Sequence, residues 1–397
     1  MAGPLQGVRV LDTSAVIAGP FAAALLGDFG AEVIKVEMPG RGDTGRAMGP
    51  LVEGKSVRWA TFARNKKTVS LDLRKEKGKN LFLKLVEKSD IIIENFRTGT
   101  FDKWGLDYET LKKHNPGIIV VRVTGYGQTG PNATLAGFGT PCTAFSGLTG
   151  LTGFPDLPPV SPSISLADYV AGLYAAYAAA MCIYHRDAKK GGGQEVDVSL
   201  YEGLFRMLEG DISLYDKTGQ CRERAATIAG AASPAGTYQT KDGKWTVLVC
   251  STDKTFEYLA KAIGREDMLT DPRFNTNAAR LKNNAEVDAV VVEWLAKHTW
   301  ADAKKQMDSF GVPVNLVYSM EDIFKDEHYA ARDNLVEIEH PDFGTLRMPS
   351  VTPILSQTPG EIKWPGAPIG AYNDDVFRGL LGLTDAEIAE LKEEGAI

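Results

Sequence analysis

Gly7-Val8-Arg9-Val10-Leu11-Asp12 is the stretch whose reading decides the fold. Short, apolar and β-branched, it predicts a strand. A helix follows over 20–29, with Pro20 at its first position and Gly30 just past its end. Ala31-Glu32-Val33-Ile34-Lys35-Val36-Glu37 then predicts a second strand. A β-α-β opening of this kind implies a parallel, doubly wound sheet. Glu37 stands about where a dinucleotide fold places its ribose acid. The turn before the helix, Thr13-Ser14-Ala15-Val16-Ile17-Ala18-Gly19, is not G-x-G-x-x-G. The scaffold is therefore Rossmann-like, with no signal for NAD.

The alternation continues downstream. Strands are expected at 69–73, 90–96 and 118–123, and helices at 77–87 and 108–114. A glycine-rich loop follows, Gly125-Tyr126-Gly127-Gln128-Thr129-Gly130-Pro131. A proline-stiffened approach from Pro158 ends in Asp168 and runs into an apolar helix with no charge until Arg186. Residues 194–200 alternate like a strand. From about Gln220 the character changes: small residues over 225–236, a hairpin over 236–249 turning at Asp242-Gly243, and amphipathic helices at 254–263, 284–297 and 300–310. This is a second, α+β unit. Strand-like pieces return at 335–338 and 346–348, and a helix capped by Thr384 spans 384–394.

Composition narrows the function. The 397 residues suffice for two domains, and 44% hydrophobic with 24% charged residues is ordinary for a globular protein. A net charge of -7 argues against nucleic acid as a partner. The apolar run from Tyr169 to Tyr184 is short and alanine-rich, so a buried core helix explains it better than a membrane span. The start of the chain leads directly into a strand without a signal-peptide pattern, and the four cysteines lack a C-x-x-C spacing. Reduced thiols and a cytoplasmic location are expected. The five histidines show no metal-ligand spacing, so no metal is assigned.

Four places could carry chemistry. Asp168, read as the N-cap of its helix, would have a lowered pKa there and serve either as a cap or as a carboxylate nucleophile. The basic island Arg64-Asn65-Lys66-Lys67 with Arg74-Lys75-Glu76-Lys77-Gly78-Lys79 could hold a phosphorylated ligand, or be a solvated surface. Asn95-Phe96-Arg97-Thr98-Gly99-Thr100-Phe101-Asp102-Lys103 follows a buried strand, where open α/β sheets bind ligands. The loop at 125–131 brings backbone N–H groups to an anion or simply makes a turn.

Taken together, a series of motifs resembles the class III coenzyme A transferases, whose superfamily includes the 2-methylacyl-CoA racemases. Besides the opening stretch, they are Gly19-Pro20, Asp28-Phe29-Gly30-Ala31-Glu32-Val33-Ile34-Lys35-Val36-Glu37, Pro39-Gly40 with Gly42-Asp43, Arg64-Asn65-Lys66-Lys67, Glu94-Asn95-Phe96-Arg97, the loop at 125–131, Ser146-Gly147-Leu148, Asp168 and Gly193-Gln194-Glu195-Val196-Asp197-Val198-Ser199-Leu200. The resemblance runs over nearly the whole length.

The resemblance implies an acyl-CoA:carboxylate CoA-transferase with Asp168 as nucleophile, working through aspartyl–acyl anhydrides and an aspartyl-CoA thioester. CoA thioester is the substrate, and no tightly bound cofactor is expected. The implied partners are an acyl-CoA donor, a carboxylic-acid acceptor and a second copy of the chain in an interlocked, ring-like homodimer, with no membrane partner. The large Rossmann-like domain would be 1–200 completed by 330–397, the small α+β domain 225–315, and the linkers 201–224 and 316–329. Val16, Ile17 and Ala18 would line the thioester end. Leu73, Arg74, Asn95, Phe96, Arg97, Lys103, Ala136, Gly137 and Phe138 would contact the nucleotide or pantetheine. Met38 stands where the family often has a basic residue, for which Arg41 or Arg46 could substitute. The racemase branch needs a histidine within Gly137-Phe138-Gly139, and none is there. Racemisation and a non-catalytic, CoA-binding subunit are the alternatives.

Overall fold

Strand β1 (Arg9–Asp12) pairs in parallel with β2 (Glu32–Glu37) on one side and with β4 (Ile91–Glu94) on the other. With β3 (Lys66–Ser70), β5 (Ile119–Thr124) and β6 (Glu195–Ser199) they form a six-stranded parallel sheet of order β3-β2-β1-β4-β5-β6. This is the doubly wound order, and its direction of winding reverses between β1 and β4. The computed structural model describes residues 3–225 and 231–397. Part of the small-residue stretch expected as a loop over 225–236 thus lies outside the described residues.

The central strands bury apolar side chains on both faces, which is why β4 and β5 read as nearly continuous hydrophobic runs. Leu11, Ile34, Ile92 and Val120 point into one core. Their neighbours Val10, Val33, Ile93 and Val121 point into the other. Each such side chain contributes roughly 1.5–3 kcal/mol of burial. On the second face lie helices α1 (Ala18–Asp28) and α5 (Leu166–Ala188), which pack against each other. On the first lie α2 (Glu76–Val86) and α3 (Tyr108–His114), joined by residues from the far end of the sequence: Phe377, Leu391 and Ala396. That return is tied down by backbone bonds from Tyr372 N–H to the Thr68 carbonyl (3.0 Å) and from Asp72 N–H to the Ala396 carbonyl (2.8 Å).

The chain divides into two compact units. The first holds residues 1–149, 161–219 and 331–397; the second holds Gly150–Val160 and Gln220–Ala330. In the second unit, β7 (Ala235–Gln239), β8 (Trp245–Val249) and β9 (Val314–Leu316) form an antiparallel sheet of order β9-β8-β7. Helices α6 (Asp253–Ala262), α7 (Asn284–Leu295) and α8 (Trp300–Phe310) bury Phe256, Leu259, Val291 and Met307 against it. In the first unit, α9 (Asp385–Glu393) starts with a capping box between Thr384 and Glu387, which satisfies backbone donors at the helix start.

Two expectations need correcting. The basic island divides: Arg74-Lys75-Glu76-Lys77 lies at the surface, as its solvated reading expects, whereas Arg64-Asn65-Lys66-Lys67 is not a solvated surface. Lys66 is 1% exposed and opens β3, with its ammonium 2.8 Å from the Asp12 carboxylate. Arg64 pairs with Asp28 at 2.6 Å and Lys67 with Glu32 at 2.9 Å. Lys35, also buried, lies 3.5 Å from Asp12 and 3.0 Å from Asp43. Burial alone would raise Asp12, but the two ammoniums outweigh it and hold its carboxyl below the ordinary value.

The long apolar helix is the second correction, because it is not wholly a core helix. Ala167, Ala171, Ala175 and Ala179 face the core. Leu173, Tyr177, Met181 and Tyr184, spaced three or four apart, form an exposed apolar stripe on the other side. Its length and hydropathy would also suffice to cross a membrane.

Candidate active site

The carboxyl ends of the strands surround a cleft of about 200 Å³. Ala15, Val16 and Ala18 line it after β1, and Asn95, Phe96, Arg97 and Thr98 after β4. Val123, Thr124 and Gly125 contribute from the β5 end, Leu200 from the β6 end, and Gly137 and Phe138 from the segment before α4 (Gly139–Phe145). Asp168 points into the same space. The cleft lies where winding reverses, the place where open α/β sheets bind ligands.

Asp168 is not the N-cap expected from the sequence. The helix starts three residues earlier than that cap implies, at Leu166, with Ser165 at the cap position and Asp168 in the first turn. The expected fall in pKa is reversed as well: burial pushes the Asp168 carboxyl up to about 6. Part of that burial comes from Gly139, the first residue of α4. A Cβ there would collide with the Asp168 Oδ2. Cys142, one turn further on, lies close enough that the Asp168 charge adds to burial in pushing its thiol up to about 11. A half-buried carboxylate poorly stabilised by hydrogen bonds is more basic than an exposed one, and it is open to an electrophile from the cleft.

A second cavity, of about 120 Å³, adjoins the first through Ala15 and Phe96, which line both. Leu73, Arg74, Met38, Leu71 and Trp104 are among its other walls, with the charged Lys35, Glu37 and Asp43. Arg74 is held by Asp72 at 2.8 Å and reaches the Met38 sulfur at 3.3 Å. The cation in contact with Met38 is thus Arg74. Arg46 is engaged elsewhere, bound to Glu37 at 2.7 Å and stacked 4.0 Å over Trp59.

Not all of the expected residues meet here. Ile17 is buried and lines neither cavity, and Ala136 and Lys103 are exposed outside both linings. Glu94 was missed. It is buried at the end of β4, its Oε2 accepts the Phe96 N–H at 2.7 Å, and burial pushes it up to about 7. In sequence it appears as the acid that closes an apolar strand and opens the Glu94-Asn95-Phe96-Arg97 motif.

The model of CoA-transferase family III matches residues 5–373. The chain belongs to that family. It is 42% identical over 395 residues to a succinyl-CoA–D-citramalate CoA-transferase of Chloroflexus aurantiacus, covering 99% of this chain and 98% of the relative. It is 41% identical to the alpha subunit of a succinyl-CoA–L-malate CoA-transferase of Chloroflexus aurantiacus, covering 99% and 92%. Among solved structures, a CaiB/BaiF family protein from Brucella suis superposes with a TM-score of 0.84 at 30% identity, covering 96% of this chain and all of that one. As a family III CoA-transferase, this chain is an enzyme that uses CoA thioesters as substrates, and its relatives support CoA transfer from an acyl-CoA to a carboxylate.

Proposed function

We propose that Asp168 carries out this transfer covalently. Its carboxylate oxygen attacks the carbonyl carbon of the donor thioester, the C–S bond breaks, and CoA thiolate leaves. The thiolate then attacks the Asp168 carbonyl of the resulting anhydride and releases the donor acid, leaving an aspartyl-CoA thioester. The acceptor carboxylate attacks that carbonyl and frees the thiolate again. The thiolate takes the acceptor's acyl group and restores Asp168. The observation that carries this reading is an ionisable carboxyl, raised to about 6 and facing the cleft at the switch point.

The substrates proposed are succinyl-CoA as donor and a small hydroxy-dicarboxylic acid as acceptor. The full-length likeness to the two Chloroflexus transferases supports this. Arg97, the cation among the cleft residues, supplies the charge an anionic substrate needs. The exposed stripe on α5 supports a homodimer, because apolar stripes of this kind mark interfaces. We place the enzyme in the cytoplasm on its unpaired cysteines.

The test is to incubate the protein with succinyl-CoA, quench, digest and weigh the peptide carrying Asp168. A CoA adduct there, absent in Asp168→Asn, is expected; steady turnover by Asp168→Ala would sink the mechanism. A homodimer that binds CoA, forms no adduct and transfers only with a second, different subunit would favour the subunit reading instead.

A further inference from the structure

The amide of Asn95, placed by the family resemblance at the nucleotide or pantetheine, is engaged by the chain itself. Its Oδ1 accepts the Ala15 N–H at 2.8 Å, and its Nδ2 donates to the Ala15 carbonyl at 2.7 Å. Both backbone groups of one residue are taken by one side chain. Asn95 follows β4 and Ala15 follows β1, so the pair continues the β1–β4 ladder beyond the sheet, after the bond from Thr13 N–H to the Ile93 carbonyl. The bridge crosses the gap where the winding reverses, and Ala15 lines the cavities on both sides of it.

Directly after Ala15, Val16 has φ 71°. A β-branched residue disfavours this left-handed region and needs outside restraint to stay there. The restraint arrives on both sides. Asn95 fixes Ala15, and Asp43 Oδ1 accepts the Val16 N–H at 3.0 Å. Asp43 is itself held by Lys35 and by the Gly45 N–H at 2.7 Å. Val16 lines the same cleft as Asp168.

We infer that Asn95 is a positioning residue: its amide locks Ala15 so that Val16 keeps the left-handed conformation that shapes the Asp168 cleft. The inference rests on the transferase reading for its kinetic consequence, although the clamp itself does not depend on it. A ligand-contacting Asn95 and a positioning Asn95 differ in what they change. Loss of a contact weakens CoA binding. Loss of the clamp misplaces the wall at the reacting end and lowers turnover, since small displacements of reacting groups are costly.

The experiment compares Asn95→Ala, Val16→Gly and the double variant by free-CoA dissociation constant, by kcat and KM for succinyl-CoA, and by hydrogen exchange over residues 13–18. Asn95→Ala should lower kcat at least about tenfold, change the CoA dissociation constant less than about threefold, and speed exchange over 13–18. Glycine adopts positive φ without restraint, so adding Val16→Gly to Asn95→Ala should recover much of the lost turnover. A CoA dissociation constant raised tenfold or more with kcat unchanged overturns the inference, and so do effects that simply multiply in the double variant. If the wild-type protein transfers no CoA, the transferase reading fails, and exchange alone decides the clamp: faster exchange supports it, unchanged exchange overturns it. If Asn95→Ala does not fold, Asn95→Asp is used. It keeps the acceptor for Ala15 N–H but loses the donor, and the same kcat-without-binding signature is expected in smaller degree.

Discussion

The Oδ2 of Asp168 occupies the place where Gly139 would carry a side chain. These residues lie at the starts of two different helices, α5 and α4. The absence of one methyl group is what lets the carboxyl sit against the backbone and still face the cleft. Gly139→Ala should therefore displace the carboxylate while leaving the fold intact. Turnover should fall by about a hundredfold, with an unchanged circular dichroism spectrum; wild-type kcat in this variant would show that the close approach has no role.

The proposed attack by Asp168 requires its ionised carboxylate. With Asp168 at about 6, kcat/KM should be level at higher pH and drop about tenfold per unit below 6. A buffer series from pH 4.5 to 8.5 checks this. An acid limb centred near 4 would mean that the titrating group is an ordinary exposed carboxylate.

The same burial makes the site a weak point of the fold. Asp168 has a higher pKa folded than its ordinary 3.8, so its ionised form is disfavoured in the native state. The penalty is complete above pH 6, up to roughly 3 kcal/mol, and it disappears as pH falls through 6 towards 4. Asp168→Asn should raise the melting temperature at pH 8 and bring little gain at pH 4.5. Thermal melts at both pH values decide it.

Removing an acid from the buried ion cluster should have the opposite effect. Asp12 bonds Lys66 and faces Lys35, all three buried. Asp12→Ala leaves those ammoniums with too little negative charge and should cost about 3–5 kcal/mol in urea unfolding. A loss under 1 kcal/mol would mean that water already reaches the cluster.

The stripe of Leu173, Tyr177, Met181 and Tyr184 is exposed in the single chain. Tyr177→Lys with Met181→Lys should weaken self-association, read as a concentration-dependent shift from dimer to monomer mass by light scattering. An unchanged mass at all concentrations would remove the stripe from the interface.

Signals confined to a few neighbouring residues were legible. Asp107 caps α3, whose bounds Tyr108–His114 match the expected helix, and the Thr384 capping box is where the sequence places it. The features that failed depend on distant residues. Asp168 looked like a cap with a lowered pKa because only its own helix was in view; its burial comes in part from Gly139. Lys66 looked like surface because its partner, Asp12, lies on a strand two positions away in the sheet. Asn95 sits in a recognisable motif, but nothing local reveals that its amide faces Ala15.

The return of residues 372–396 to the first sheet also bears on how the protein is made. The core around Leu71 and Phe82 lacks Phe377, Leu391 and Ala396 until translation reaches them. Meanwhile the second unit, Gly150–Val160 and Gln220–Ala330 with its own hydrophobic centre, has already left the ribosome and can close. The unit that holds the Asp168 cleft is begun first and finished last. A chain that ends before residue 372 has α2 and α3 on that face but lacks Phe377, Leu391 and Ala396, so Leu71 and Phe82 lose part of their cover.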